Sequence, residues 1–328
     1  MTEFAKTPLE IALAVVYAIL LVQQKSNRSL LTAAAFVAIS LTIRLSIDVS
    51  AVRDFRPYFD SFQQVKYGLP APELAGEPYR YLLFRAALLF GDLPDRLQID
   101  GIYYFHFFVV TGFFLWLAYL RDVGFEVKLI LFLAFYPVFA YVWIRAGMAY
   151  VVAGVLFYTI NAGKWRILHF TLPMFHSSSL AFLLMMKLKQ AHLQWKLAIL
   201  LAVAVVLYVA VESDYVRYLI YKLERYDETS DARSSNALFV FHFINIATFL
   251  YLSAINARFR NNFAILGMMG AYMLMFYFNP VVGLRVFPFV LIACVAERMQ
   301  FTQYKLVSLL LIGGYVPVYL ARFNQILS

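Results

Sequence analysis

The sequence predicts an all-α protein embedded in a membrane, and composition and the spacing of apolar runs are the observations behind this prediction. Of the 328 residues, 63% are hydrophobic, 18% are aromatic and only 14% are charged. A soluble domain is roughly half apolar and a quarter charged. At about 20 residues per span, the chain accommodates roughly 10–12 transmembrane or half-membrane helices. No linker interrupts this pattern, so we expect a single integral-membrane domain over residues 1–328.

Apolar runs mark the individual helices. They fall at about 9–22, 30–49, 100–120, 128–144, 146–160, 167–187, 196–211, 237–256, 263–279, 280–296 and 305–320. The first run is followed by QQKSNRS rather than by a small-residue cleavage site, so we interpret it as a retained helix. Runs that abut without a linker, at Ile144-Arg145 and at Asn279-Pro280, predict tight hairpins. Arg44 and Asp48 are four residues apart in the second run, which predicts an ion pair on one helix face.

Two long interruptions separate the runs. Residues 50–99 are too apolar for a free loop and predict one or two amphipathic helices at the membrane surface, broken over the segment Pro70–Pro78. In the interruption at 212–236, residues 215–226 predict a short amphipathic helix. Its tyrosines suit stacking against sugar rings, and an interfacial tyrosine belt is the alternative.

The run 167–187 predicts either one span or two half-helices that break at the Pro173–His176 turn. Pro173 and the serines after His176 favour the break. With the break, the loops of one side collect an excess of basic residues, which is typical of the cytoplasmic side. The other, extracytoplasmic side then receives the 50–99 and 212–236 loops, Arg145, the His176 turn and Arg285.

Arg145, His176 and Arg285 are the candidate chemical groups, because ionisable residues in apolar surroundings are rare and usually functional. Arg145 begins a helix in which Ala149 and Ala153 form a small-residue pair for close packing. Its guanidinium suits a phosphate, and contact with outer headgroups is the alternative. His176 suits a general base or a hydrogen bond to a diphosphate, and a packing role is the alternative.

The sequence lacks the motifs that are typical of several other kinds of functional site. The net charge of +9 is not gathered into a basic cluster and no nucleic-acid motif is present, so we expect no nucleic-acid partner. The single cysteine, Cys294, rules out an intrachain disulfide. There is no P-loop, HExxH or GxSxG motif, and although Asp54 and Asp60 could hold a metal, no metal or cofactor is expected.

Short motifs in a particular order carry a resemblance to a known family. They are RDFRPYFDSF at 53–62, GEPYRYLLF at 76–84, RAGMA at 145–149, FHSSSLAF at 175–182, KLERY at 222–226, and Arg285. In this order the chain resembles the EpsG family of bacterial polysaccharide polymerases, which belongs with the Wzy-type O-antigen and capsule polymerases. The resemblance covers roughly residues 50 to 290.

The resemblance implies a GT-C-like glycosyltransferase of the bacterial inner membrane, with its active site on the periplasmic side. It would transfer a glycan from undecaprenyl diphosphate to a lipid-linked repeat unit. Arg145 and Arg285 would stabilise the leaving diphosphate, and His176 would position it or the acceptor. Asp54 or Glu77 would be the base. Further substrate contacts would come from Arg53, Tyr58, Asp60, Arg80, Arg217, Lys222 and Tyr226.

The implied partners are the undecaprenyl-diphosphate-linked oligosaccharide and membrane lipids, with a chain-length regulator and a flippase as candidate protein partners. An O-antigen ligase or another lipid-linked-sugar glycosyltransferase is the nearest alternative, because it would differ mainly in its acceptor. A transporter or flippase for a lipid-linked saccharide is a third hypothesis, and it predicts internal repeats that the sequence does not show. A purely structural membrane subunit is the remaining one.

Overall fold

The computed structural model describes residues 6–23, 28–52, 55–69, 74, 78–91, 93–142, 144–160, 164–176, 178–189, 192, 194, 236–300 and 305–327. Within these ranges the regular structure is helical and there is no strand, which confirms the all-α prediction. The predicted run 196–211 and the predicted helix 215–226 lie outside them. So do the candidate residues Arg53, Asp54, Glu77, Arg217, Lys222 and Tyr226.

The helices follow the apolar runs to within a few residues at almost every boundary. They are α1 (Lys6–Val22), α2 (Ser29–Ser46), α3 (Phe55–Lys66), α4 (Pro78–Ala87), α5 (Asp95–Tyr119), α6 (Phe125–Tyr141), α7 (Ile144–Thr159), α8 (Ser179–Leu188), α9 (Asn236–Ile255), α10 (Ala257–Arg260), α11 (Phe263–Phe278), α12 (Pro280–Ala296) and α13 (Lys305–Leu327). Short 3₁₀ helices cover Val49–Ala51 and Leu88–Phe90, and a longer one covers Lys164–Met174.

Two of these helices, α2 and α5, are long and apolar enough to cross a membrane. Shorter apolar stretches of 10–17 residues cover Pro8–Val22, Ala146–Thr159, Ser179–Leu188, Phe239–Ile255, Phe263–Phe278 and Val282–Ala296. The interruption at 50–99 contains two helices, α3 and α4, on either side of Pro70–Pro78, as predicted.

The chain divides into two compact units, one formed by Met1–Ser179 with Cys294–Ser328 and the other by Leu180–Ala293. In the first unit, α6 is the central helix. Its residues from Val127 to Tyr141 are buried on every side, as expected for a helix that is apolar all round. Helices α1, α5, α7 and α13 pack around it. Aromatic rings fill the contacts, with Phe132 stacked on Tyr17 at 4.0 Å and on Tyr136 at 4.8 Å between ring centroids.

Small residues lie where the helices of both abutting pairs of runs approach each other. In the first unit, a Cβ on Gly147 of α7 would lie 3.3 Å from the carbonyl oxygen of Phe139 in α6. Ala149 and Ala153 are fully buried, as the small-residue pair predicts. In the second unit, only Asn279 separates α11 from α12. A Cβ on Gly283 would lie 2.9 Å from the Cα of Phe276, so these two helices approach closely.

The predicted break in the run 167–187 is confirmed. The 3₁₀ helix ends at Met174, residues 175–176 are not helical, and α8 begins at Ser179. Ser179 supports the new helix, because its backbone N–H and its hydroxyl both donate to the carbonyl of His176, at 3.0 and 2.7 Å. The first half is a 3₁₀ helix rather than the α-helix that the apolar run suggests.

Hydrogen bonds and ring contacts define two ends of the first unit. At one end, the hydroxyl of Tyr141 donates to the carbonyl of Ser40 at 3.1 Å, and the Tyr141 ring stacks on Phe107. This end joins the C-terminal parts of α2 and α6 to the N-terminal part of α5, and we call it the α3–α4 end. At the opposite end, the hydroxyl of Tyr119 donates to the carbonyl of Ser29 at 3.2 Å. Asp122 lies there, and we call it the Asp122 end.

The Asp122 end is closed by a polar cluster. Asp122 accepts a hydrogen bond from the hydroxyl of Tyr158 at 2.6 Å and forms an ion pair with Arg298 at 3.0 Å. The ammonium of Lys128 donates to the carbonyl oxygens of Ala118 and Leu120 at the end of α5. A cation at a helix C-terminus is favourable, because the last carbonyl groups have no partner inside the helix.

Candidate functional site: an arginine–tyrosine cluster

Arg44 is a fully buried cation at the α3–α4 end. Its side chain is only 1% exposed, and its guanidinium lies over the rings of Tyr104 and Tyr103 at 4.9 and 5.6 Å. Among the described residues, none of its three side-chain nitrogen atoms has a hydrogen-bond partner. A buried polar group without a partner costs roughly 1–3 kcal/mol, and a charged one costs more. Stacking on aromatic faces offsets part of this cost.

The predicted ion pair between Arg44 and Asp48 is wrong. Helix α2 ends at Ser46 and Ile47 is extended, so Asp48 does not continue the helix face that carries Arg44. Asp48 instead accepts hydrogen bonds from the hydroxyl and the backbone N–H of Ser50, at 2.7 and 2.9 Å, and pairs with Arg96 at 3.0 Å. The hydrogen bonds from Ser50 hold the pKa of Asp48 below its ordinary value.

Arg80 is the second buried cation of this end, and the resemblance implies a substrate contact for it. It is 5% exposed on the inner face of α4, and its guanidinium lies 5.7 Å from the ring centroid of Tyr58 in α3. Tyr58 in turn meets Tyr103 edge to face at 6.4 Å. A continuous series of rings therefore joins the two guanidinium groups. We call Arg44, Tyr58, Arg80, Tyr103 and Tyr104 the arginine–tyrosine cluster.

Asp100 supplies a carboxylate beside the cluster. It lies on α5 one turn before Tyr103 and Tyr104, and its buried Oδ1 atom has no hydrogen-bond partner within the described ranges. Arg96 and Arg44 attract its charge, and Asp48 repels it. Asp100 was not among the residues predicted from the sequence. Asp60 was among them, and it is exposed on α3.

His106 connects α5 to α4. Its Nδ1 lies 2.8 Å from the carbonyl oxygen of Ile102, which can only accept, so Nδ1 carries the proton. Its Nε2 then accepts from the hydroxyl of Tyr79 at 2.9 Å. Burial raises the pKa of the Tyr79 hydroxyl, which keeps it protonated as the donor. His106 was not predicted as a site residue, although a single histidine inside the apolar run 100–120 was a usable signal.

The same tyrosine brings the His176 turn to this end. The ring of Phe175 lies 4.8 Å from the ring of Tyr79, so the next residue, His176, lies near Tyr79. The Nδ1 of His176 accepts from the backbone N–H of Ser178 at 3.2 Å and lies 2.7 Å from the Ser178 hydroxyl. Since a backbone N–H can only donate, Nδ1 is unprotonated in the neutral ring and Nε2 carries the proton.

The two remaining sequence candidates are Arg145 and Arg285. The backbone of Arg145 is in the first turn of α7, which starts at the α3–α4 end, and its side chain lies outside the described residues. Arg285 is half-buried on α12 in the second unit, so its predicted convergence with Arg145 stays a prediction. Within the described ranges, no group of three or more His, Cys, Asp or Glu residues is arranged to hold a metal ion.

The chain was compared with family models, with curated proteins and with solved structures, and none of them matches it.

Proposed function

We propose that this chain is a membrane-embedded glycosyltransferase of the Wzy type, a polysaccharide polymerase of the bacterial inner membrane. It transfers a growing glycan from undecaprenyl diphosphate to a lipid-linked repeat unit, at an extracytoplasmic site on the α3–α4 end. The single observation that carries the proposal is the inverted polarity of its helices, which bury their charges and expose apolar side chains.

Helix α4 shows the inversion at Arg80, although Arg85 on the same helix is exposed. Its inner face holds Arg80, whereas its outer face exposes Tyr81 by 45% and Leu82 by 59%. Leu89, in the turn that follows, is exposed by 85%. In water the reverse arrangement is favoured, because large apolar side chains bury and arginine is almost never fully buried. Lipid reverses the preference, since a charge there must face protein or a water-filled cavity.

The long helices repeat the pattern. Helix α5 buries Gln98, His106 and Thr111, and it exposes Leu97, Phe105 and Phe108. On α1 the exposed apolar residues recur on one face, at Ile11, Val15, Ile19 and Val22. In the second unit, α9 buries His242 and Asn245 while it exposes Phe239, Val240 and Phe243. These stripes support a chain surrounded by lipid, with polar groups turned toward the bundle interior.

The chemistry of the α3–α4 end suits a diphosphate leaving group. Glycosyl transfer develops positive charge on the sugar carbon, and the departing diphosphate takes up negative charge. Arg80 supplies a guanidinium held by Tyr58, and the protonated Nε2 of His176 supplies a second donor. Fixed donors of this kind need no reorganisation as charge develops, and the loss of one typically costs about 10²–10³ in rate.

The proposed sidedness rests on the bias of basic loops in the whole sequence. At the Asp122 end, Arg28, Arg121 and Arg298 lie in short connections, and Lys128 lies in the first turn of α6. An excess of Lys and Arg in short loops is typical of the cytoplasmic side. The α3–α4 end then faces outward. Polyprenyl-linked saccharides presented at the outer face reach that end directly, in keeping with the resemblance to EpsG proteins.

The test is turnover by purified protein of its cognate undecaprenyl-diphosphate repeat unit. We expect a ladder of lengthened glycan from the wild type and a loss of about 10²–10³ in rate for Arg80→Gln and for His176→Ala. Arg85→Gln is the matched control, because Arg85 is exposed on the same helix whereas Arg80 is buried.

Two other outcomes would count against the polymerase. An intact donor after incubation with authentic substrate would contradict glycosyl transfer. It would favour a transporter of lipid-linked saccharide. Transfer of the whole glycan to a different lipid acceptor, without a ladder, would indicate a ligase.

A further inference from the structure

Arg44 and Asp100 carry opposite charges at the same place, yet they do not satisfy each other. Each acts electrostatically on the other. The three nitrogens of Arg44 and the buried Oδ1 of Asp100 nevertheless have no hydrogen-bond partner in the part of the chain that the structure describes. A buried ion pair is stable only when good geometry and additional hydrogen bonds satisfy both groups. The partners of both groups therefore come from outside the described chain.

The arrangement selects the chemistry of that partner. Because the Arg44 guanidinium lies over the ring of Tyr104, its N–H donors point out of its edge. The carboxylate of Asp100 can only accept when ionised. A bare phosphate would meet the repulsion of Asp100 and of Asp48 nearby. A sugar hydroxyl both donates and accepts, and an apolar sugar face can lie against a tyrosine ring.

We infer that Arg44 and Asp100 bind the hydroxyl groups of the acceptor sugar, and that Asp100 is the general base for the attacking hydroxyl. This inference rests on the proposed function. It separates the site into two parts: Arg80 and His176 hold the diphosphate of the donor, and Arg44 with Asp100 holds the acceptor. The rings of Tyr58 and Tyr103 lie between them.

The reaction step balances with these groups alone. The acceptor oxygen attacks the anomeric carbon of the donor glycan and forms the new C–O bond. The bond from that carbon to the phosphate oxygen breaks, and its electron pair leaves with undecaprenyl diphosphate. The acceptor proton passes to Asp100, which later returns it to water. Arg44 orients the acceptor ring, so that one hydroxyl points toward the carboxylate.

The experiment uses the full-length protein and its cognate lipid-linked repeat unit. We expect Asp100→Asn to lower the rate of glycan lengthening by about 10²–10⁴, the usual contribution of a general base. It should also remove the rising limb of the pH–rate profile, whereas Asp100→Glu should retain that limb. Asp95→Asn is the matched control, because Asp95 is a carboxylate in the first turn of the same helix that pairs instead with Lys66 and Gln63. Its profile should match that of the wild type.

Binding separates this inference from the proposed function. The probe is the repeat-unit oligosaccharide of the producing strain, released from its lipid. We expect the wild type to bind it, Arg44→Gln to weaken binding at least about tenfold, which corresponds to about 1.4 kcal/mol, and Arg80→Gln to leave it within about twofold. Failure of the wild type to lengthen glycan would overturn the proposed function and the base role together. Normal lengthening by Asp100→Asn, or unchanged sugar binding by Arg44→Gln, would overturn this inference alone.

Discussion

At the scale of single residues, Arg44 shows what local spacing cannot predict. Four residues separate it from Asp48, and that spacing suggests an ion pair. The true neighbours of Arg44 are Tyr103 and Tyr104, which are close only because α5 packs against α2. The sequence therefore revealed a charge within an apolar run but not its surroundings. Arg80 and Tyr58 were predicted as substrate contacts because of the motifs around them, and the structure places them in one cluster.

Replacement of Arg44 tests whether this residue serves stability or function. We expect Arg44→Met to leave the melting temperature unchanged or to raise it, because a buried charge without hydrogen bonds is replaced by an apolar side chain of similar length. The gain in free energy of unfolding should lie between zero and about 3 kcal/mol. Thermal unfolding in one detergent measures it, with the exposed Arg96→Met as control. A clear fall in melting temperature for Arg44→Met alone would show that the stacked guanidinium stabilises the fold.

A second prediction concerns the proton on His176. Because Nδ1 accepts from the Ser178 backbone, the useful donor is Nε2. Glutamine places its amide group near the position of Nε2, whereas asparagine places it near Nδ1. We expect His176→Gln to keep at least about tenfold more activity than His176→Asn, a difference of about 1.4 kcal/mol in the barrier. Glycan lengthening measures it. Equal losses in both variants would argue against a donor at Nε2.

At the scale of helices, the sequence was most informative. Apolar periodicity located the helices because a long apolar run must bury or face lipid along its whole length, and the run 280–296 has the same limits as α12. Proline and serine predicted the break before α8. The 3₁₀ geometry of Lys164–Met174 was not predicted, because the composition of an apolar run does not distinguish one helix type from another.

The close approach of α11 and α12 gives a prediction at this scale. A Cβ on Gly283 would lie 2.9 Å from the Cα of Phe276, a backbone atom that cannot move by itself. We expect Gly283→Ala to lower the free energy of unfolding by about 1–3 kcal/mol, as overpacking does. Gly270→Ala is the control, since its Cβ would meet nothing within 4 Å and alanine favours the helix by up to about 1 kcal/mol. Denaturant unfolding of both variants measures the difference, and equal stability would mean that the hairpin opens at little cost.

At the scale of the whole molecule, the charges of the loops and the contacts between the helices provide different information. The bias of basic loops predicted which segments share a side. Within the first unit, the contacts of Tyr79, Tyr141 and Tyr119 place α3, α4 and the His176 turn at one end, and Asp122 and Arg298 at the other. The division into two compact units was not predicted, because an unbroken series of apolar runs contains no linker signal.

Labelling of single cysteines tests the proposed orientation. In a Cys294→Ala background, we expect Gly91→Cys and Ser178→Cys to react with an impermeant thiol reagent on intact spheroplasts. Arg121→Cys should react only after lysis, because Gly91 lies between α4 and α5 whereas Arg121 follows α5 at the Asp122 end. All three positions are at least partly exposed, so burial does not decide the result. Reaction of Gly91→Cys and Arg121→Cys from the same side would contradict a span by α5, and with it the outer-face site.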